Sequence, residues 1–350
     1  MYMNITIHTP RQLVAAIPHL IGFHPESSLV IVVLDGSEVC TITRFDWPAS
    51  PVDLPINIRT GLSGASEPAI VLVAYTEQII SLEETVHLVK GCEDSDLLDV
   101  LWVRGGCWIS LMCEDESCCP AEGHPLADIS PADVAFVVAG SAPFESRDDL
   151  VQRLGAQQLA NDAIAKRQQA QTEVDAEVSK KLKISDKDFD QRKAKGQSSG
   201  SNAQQVSKSD IRASILKEVA TFLRADSELS WQEHAWLSAV VSDIRMRDGL
   251  LRLLFDDTLL RAPARAKLIN AVSRAADVHV PALATVLAGC AWLDGNGALA
   301  SVALERALDA DPAYSLARLL DRAIAHNVPP SVWSDSLEAV SYDECLAGAA

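Results

Sequence analysis

Four of the chain's eight cysteines, Cys107, Cys113, Cys118 and Cys119, fall within a short stretch, and His124 follows five places after the last of them. Four residues separate Cys113 from Cys118, and four separate Cys119 from His124. Thiolate and imidazole groups on a turn of that size can converge on one tetrahedral zinc ion, whose bonds of roughly 2.0–2.3 Å demand close approach. Such a structural zinc would staple a loop that otherwise lacks apolar anchors. The spacing has no pair of CxxC knuckles, however, and adjacent cysteines rarely both ligate one metal, so other readings stay open. A reactive thiol needs a nearby cation, a helix N-terminus or a metal to lower its pKa. Here Glu114, Asp115, Glu116 and Glu122 act in the opposite sense unless Arg104, Arg147 or His24 folds over the loop. A redox-labile pair, Cys113–Cys118 or Cys118–Cys119, is a further reading. The plain alternative is that these cysteines are small hydrophobes packed in a tight turn.

Candidate acid–base chemistry lies elsewhere. His24 and Glu26 sit with Ser27 and Ser28 in a turn that enters an apolar run, where a histidine is a candidate acid–base group or ligand. The same turn also reads as a His-Pro corner whose serines satisfy backbone groups. Arg147 follows Ser146 at a helix start and is a candidate for anion binding or for pairing with a carboxylate. Trp102 and Trp108 flank Gly105-Gly106, as walls of a ligand pocket or as ordinary sheet packing.

The elements that must position these groups are legible from pattern. Leu29–Leu34 and Ala69–Tyr75 are almost wholly apolar, as in strands covered on both faces. Asn4–His8, Val39–Phe45, Leu97–Arg104 and Cys107–Met112 read as further strands, with a hairpin turn at Asp35-Gly36-Ser37. Helices open at Thr9-Pro10, at Ser81, at Ser130 and at Ser146. The alternation predicts an α/β domain with a mixed sheet over residues 1–165. No Gly-rich phosphate loop of dinucleotide or Walker type appears in its strand-to-helix turns. Residues 166–209 read as a charged, solvated helix followed by a flexible linker at Gly196–Ser209. Residues 210–350 read as an all-α domain, with Ala300, Leu304, Ala307 and Pro312 at the spacing of a tetratricopeptide second helix, hence a repeat-like helical hairpin.

Composition limits the partners. The formal charge of -18 is concentrated in residues 1–150, which carry 6 Lys/Arg against 22 Asp/Glu. An acidic half of that kind repels phosphate backbones and anionic lipid, so nucleic acid and membrane are poor partners for it and protein is the expected one. The N-terminal sequence shows no secretory signal pattern, and its apolar runs are too short to span a bilayer, so a cytoplasmic location with reduced thiols is expected. Two classes of function follow. One is an interaction or regulatory protein. The other is an enzyme or small-ligand binder, with its site between the His24 turn and the Cys113–His124 loop and zinc as a candidate cofactor.

Three segments carry a family resemblance: LVAAIPHLIGFHPESSLVIVVL, CWISLMCEDESCCPAEGHPL, and AWLDGNGALASVALERALDADPAYSLARLLDRAI ahead of Pro329-Pro330. In this order they resemble the bacterial Domain of Unknown Function 4192 family, whose pattern includes a Trp-x-Ser…Cys…Cys-Cys-Pro…Gly segment. The resemblance spans nearly the whole chain and implies no activity. The charged stretch at 166–209 departs from the family's pattern and reads as peripheral to what its members share.

Overall fold

A computed structural model of the chain describes residues 9–36, 38–47, 68–87, 96–126, 143–195, 207–326, 328 and 330–347. The strand expected at Asn4–His8, the helix expected from Ser130, and residues 196–206 of the expected linker lie outside the described residues. The chain divides into two compact units. One comprises Met1–Val151, Gly295–Leu299 and Asp321–Pro329, and the other Gln152–Asp294, Ala300–Leu320 and Pro330–Ala350.

The first unit is built on a six-stranded mixed sheet. Its strands are β1 (Ser28–Asp35), β2 (Glu38–Asp46), β3 (Pro68–Tyr75), β4 (Asp96–Arg104), β5 (Cys107–Ser110) and β6 (His124–Pro125), in the order β2-β1-β3-β4-β5-β6. Only the β3–β4 pair is parallel. Leu29, Val30, Ile31, Val32 and Val33 are all buried, so β1 is covered on both faces, as its unbroken apolar run requires. One face gathers Leu29, Ile31, Val33, Ile70, Leu72, Val100 and Trp102 into a single core. Helix α1 (Pro10–Ile21) starts where Thr9 accepts a hydrogen bond from the Gln12 amide, and it stops at Gly22 in the left-handed region. A short helix α2 (Leu82–His87) lies between β3 and β4, and α3 (Arg147–Leu154) follows the sheet. The β4–β5 hairpin turns on Gly105 and Gly106, both at positive φ, which the two-residue turn between Arg104 and Cys107 demands.

The second unit is helical. It holds α4 (Asn161–Lys195), α5 (Lys208–Arg224), α6 (Trp231–Ser242), α7 (Ile244–Asp256), α8 (Thr258–Arg274) and α9 (Val280–Leu293). The chain continues through α10 (Gly297–Ala310), α11 (Ser315–Ala325), α12 (Pro330–Glu338) and α13 (Tyr342–Ala347). All residues of α9 are buried, the signature of a helix that is apolar all round and sits in the middle of a bundle. It packs against α6, α7, α8 and α12. The charged helix α4 is not wholly solvated: Ala170, Val174 and Val178 form a buried stripe, and the helix lies along α6. On α10, the positions read as repeat-like, Ala300, Leu304 and Ala307, are fully buried.

Cationic side chains finish several of these helices. Arg261 is buried, and its Nε and Nη2 donate to the carbonyls of Leu254 and Phe255 at the end of α7, both at 2.7 Å. Arg212 donates to Leu346 in the last turn of α13 at 2.8 Å, and Arg252 to Leu337 in the last turn of α12 and to Val340 just beyond it. Lys267 reaches Phe222 and Ala225 at the end of α5. Terminal carbonyls have no partner within their own helix, and the helix dipole favours positive charge there. Arg261→Met is expected to lower stability by about 2–4 kcal/mol, because it leaves buried carbonyls without donors and Asp294 with one fewer cation. Urea unfolding of the full chain measures this, and a loss below 1 kcal/mol would show the clamp to be incidental.

His234 on α6 is 3% exposed, and burial lowers its pKa to about 4 against the opposing pull of Asn270 and with the help of the Arg274 and Arg167 charges. Near pH 6.5 the unfolded chain takes up this proton while the folded chain does not, so acidification favours unfolding until about pH 4. The wild type should lose up to about 3 kcal/mol across that window through this residue, and His234→Gln should lose correspondingly less. Parallel slopes of unfolding free energy against pH for the two proteins would contradict the assignment.

Candidate functional site

The cysteine loop leaves β5 at Ser110 and returns as β6, which pairs Trp108 with His124 and Cys107 with Pro125. Asp99 on β4 fixes the departure, accepting from the Ser110 hydroxyl at 2.6 Å and from the Val100 amide at 2.8 Å. The loop is then organised by Asp115. Its backbone carbonyl accepts the amides of Cys118 (2.9 Å) and Cys119 (2.7 Å), and its carboxylate accepts the amide and hydroxyl of Ser117. This is an Asx turn, which short polar side chains form in preference to helix or ladder. Its effect is to bring the two adjacent cysteines over Cys113, so that the sulfurs of Cys113, Cys118 and Cys119 all lie within 4.8 Å of one another.

The three thiols are unequal. Cys113 is pulled below the ordinary thiol range, chiefly by a backbone hydrogen bond at Asp115 and next by the Cys119 thiol. Cys118 is raised, first by its hydrogen bond with Cys113. Cys119 is pushed up to about 11, mainly by burial. The shifts run in opposite directions, Cys113 toward the thiolate and its two neighbours toward the thiol.

Cys107 and His124 are not part of this group. Cys107 is a strand residue opposite Arg104 and Pro125. His124 lies over Trp108, with ring centroids 4.5 Å apart, and its Nε2 is 2.8 Å from the carbonyl of Cys118. A carbonyl can only accept, so Nε2 carries the proton and acts as a clamp on the loop. Gly123 completes that clamp. At φ +79 it brings the chain so close that an added Cβ would stand 3.0 Å from the Trp108 carbonyl and 3.2 Å from Cβ of Cys107.

Of the remaining candidates, His24 and Glu26 lie across the sheet from the cysteine loop. His24 is exposed, donates its amide to Phe144 at 2.9 Å and leads with Glu26 into β1. Strands β3 and β4 stand between β1 and β5, a separation of about 14 Å across the sheet. The Ser28 hydroxyl donates to the Glu26 carbonyl and accepts from Nε of Arg44, so this turn is braced by side chain to backbone bonds. Arg147 begins α3 behind Ser146, which accepts the Asp149 amide. Arg104 lies over the Trp102 ring at 4.0 Å, at the hairpin end of β4. The Trp102 indole donates to the Thr76 carbonyl and belongs to the core.

Sequence reasoning named Asp115 only for its charge and missed its role with Ser117 in the turn, although an Asp two places ahead of a Ser is a turn signal. Gly123→Ala should destabilise the β5–β6 edge by about 1–3 kcal/mol, through strained backbone and the clash with Trp108. Hydrogen exchange of the Leu126 amide, which donates to Gly106 at 2.9 Å, would speed up in that variant. Unchanged exchange there would show that the close approach relaxes freely.

Among the described residues no helix is long and apolar enough to cross a membrane. No curated protein and no solved structure matches the chain. A family described as Domain of unknown function (DUF4192) matches residues 10–331, which takes in the sheet, the cysteine loop and most of the helical unit, and the chain belongs to that family.

Proposed function

We propose that this family member is a cytoplasmic interaction or regulatory protein whose cysteine loop is set by a zinc ion held by Cys113, Cys118 and Cys119. The observation that carries the metal reading is the convergence of three sulfurs within 4.8 Å on a loop that closes the edge of the sheet. Zinc–thiolate bonds of about 2.3 Å put tetrahedral sulfurs about 3.8 Å apart, so the group needs to contract by no more than about 1 Å. Cys118 is exposed, and Cys113 and Cys119 are half-buried, so the side chains have room to make that adjustment. When bound, zinc would neutralise thiolates that otherwise repel one another and the neighbouring carboxylates. It would also fix β6, only two residues long, against β5.

Support for a protein partner comes from electrostatics and architecture. The acidic first 150 residues disfavour nucleic acid and anionic lipid. A sheet edge covered by so short a strand, and presented beside a rigid loop, suits recognition of another protein's backbone.

Full-length protein purified without chelator should contain one zinc per chain. Alkylation should spare Cys113, Cys118 and Cys119 until the metal is removed, while Cys107 reacts at the same rate with and without zinc. The triple variant Cys113→Ser, Cys118→Ser, Cys119→Ser should lose the metal and stay folded in its helical unit. Metal-free protein that takes up no added zinc, with all four loop thiols reacting as before, would remove the basis of this reading.

A further inference from the structure

Zinc prefers four ligands, and the loop supplies three. Each nearby candidate for the fourth position is already engaged. His124 donates Nε2–H to Cys118 and stacks on Trp108, so turning it toward the sulfurs would break both interactions. Cys107 is held in register between β4 and β6. The Asp115 carboxylate is occupied by Ser117. Among the described residues, no further His, Cys, Asp or Glu joins the group.

Resting on the zinc reading above, we propose that the centre is an open three-thiolate site whose fourth ligand is exchangeable and comes from outside the chain: water at rest, replaced by a neutral imidazole donor such as a histidine of a partner protein. Three thiolates on a divalent ion leave a net charge of about −1. Glu114, Glu116 and Glu122 are exposed around the loop and add to the negative field. That field disfavours anionic ligands and leaves a neutral nitrogen donor as the better fourth partner. Exposure of Cys118 on the outer side of the group gives such a donor a path to the metal.

The test uses the full chain loaded with cobalt(II) in place of zinc. Sulfur-to-cobalt charge-transfer intensity counts thiolates, and the d–d bands report the fourth ligand. The expected result is a three-thiolate intensity, with d–d bands that shift saturably on titration with imidazole. Azide should bind at least about tenfold more weakly, which is ~1.4 kcal/mol. His124→Phe removes the clamp on the Cys118 carbonyl and so moves the resting bands, but the three-thiolate intensity and a saturable imidazole response should remain. Replacing Glu114, Glu116 and Glu122 together by Gln should leave the resting bands in place and narrow the gap between imidazole and azide. A four-thiolate intensity, bands indifferent to imidazole, or an imidazole response that appears only in His124→Phe would show a closed site and overturn the inference while leaving zinc binding standing. Failure of cobalt to bind at all would overturn both.

Discussion

One backbone carbonyl, that of Asp115, accepts two successive amides, and the geometry of the cysteine loop depends on it. Consecutive residues in extended chain point their side chains to opposite sides, so Cys118 and Cys119 in a strand could not face one ligand. Tight-turn backbone removes that restriction by placing both amides on the same acceptor, at 2.9 and 2.7 Å. The Ser117 contacts to the Asp115 carboxylate hold the turn in place, and the Asp99–Ser110 bond fixes where it begins. Adjacency of two cysteines argues against shared ligation only when the backbone is regular, and here it is not.

The same logic of satisfying polar groups locally shapes the helical unit. A bundle of short helices exposes many terminal carbonyls, and those near the core cannot all rely on water. Arg212, Arg252, Arg261 and Lys267 reach across to helix ends other than their own, so each joins two elements while filling orphan acceptors. Asp294, beside Arg261 and Arg265, has its pKa raised by burial against the pull of those two cations. Helix α9 contributes the complementary component, apolar area on every side, with Gly289 allowing Leu251 of α7 to approach.

Much of this was legible in the sequence, for identifiable reasons. The doubly buried strands β1 and β3 announce themselves because no polar residue interrupts Leu29–Leu34 or Ala69–Tyr75. Ser230 and Glu233 form the reciprocal capping box that their spacing implies. Misplacements occur where one strong local signal competes with a weaker one. Pattern places a helix at about 263–276, but α8 begins at Thr258 because Asp257 caps it through the Leu260 amide, and Pro263 is carried inside. Helical composition runs from about Gln152 to Lys183, yet α3 ends at Leu154 and α4 begins at Asn161, with the Gly155 amide turned back on the Gln152 carbonyl. In the loop, residue type and spacing named five potential ligands and could not say which converge. That choice was made by strand pairing, which takes Cys107, and by ring stacking, which takes His124. Neither is visible to spacing rules.

The electrostatics of the loop tie the fold to its chemistry. With carboxylates at Glu114, Asp115, Glu116 and Glu122, three ionised thiols in one small volume would be strongly self-repelling. In the structure Cys113 is shifted toward the thiolate, chiefly by the Asp115 backbone, while Cys118 and Cys119 are shifted toward the thiol. A divalent cation that enters displaces the protons these thiols hold, and it gains the attraction of the acidic rim in return. An acidic surrounding that works against a nucleophilic cysteine is the same surrounding that favours a bound cation. Residues that weaken one chemistry at this site thus strengthen the other, and the balance of charge around the loop separates a metal-held edge from a catalytic thiol.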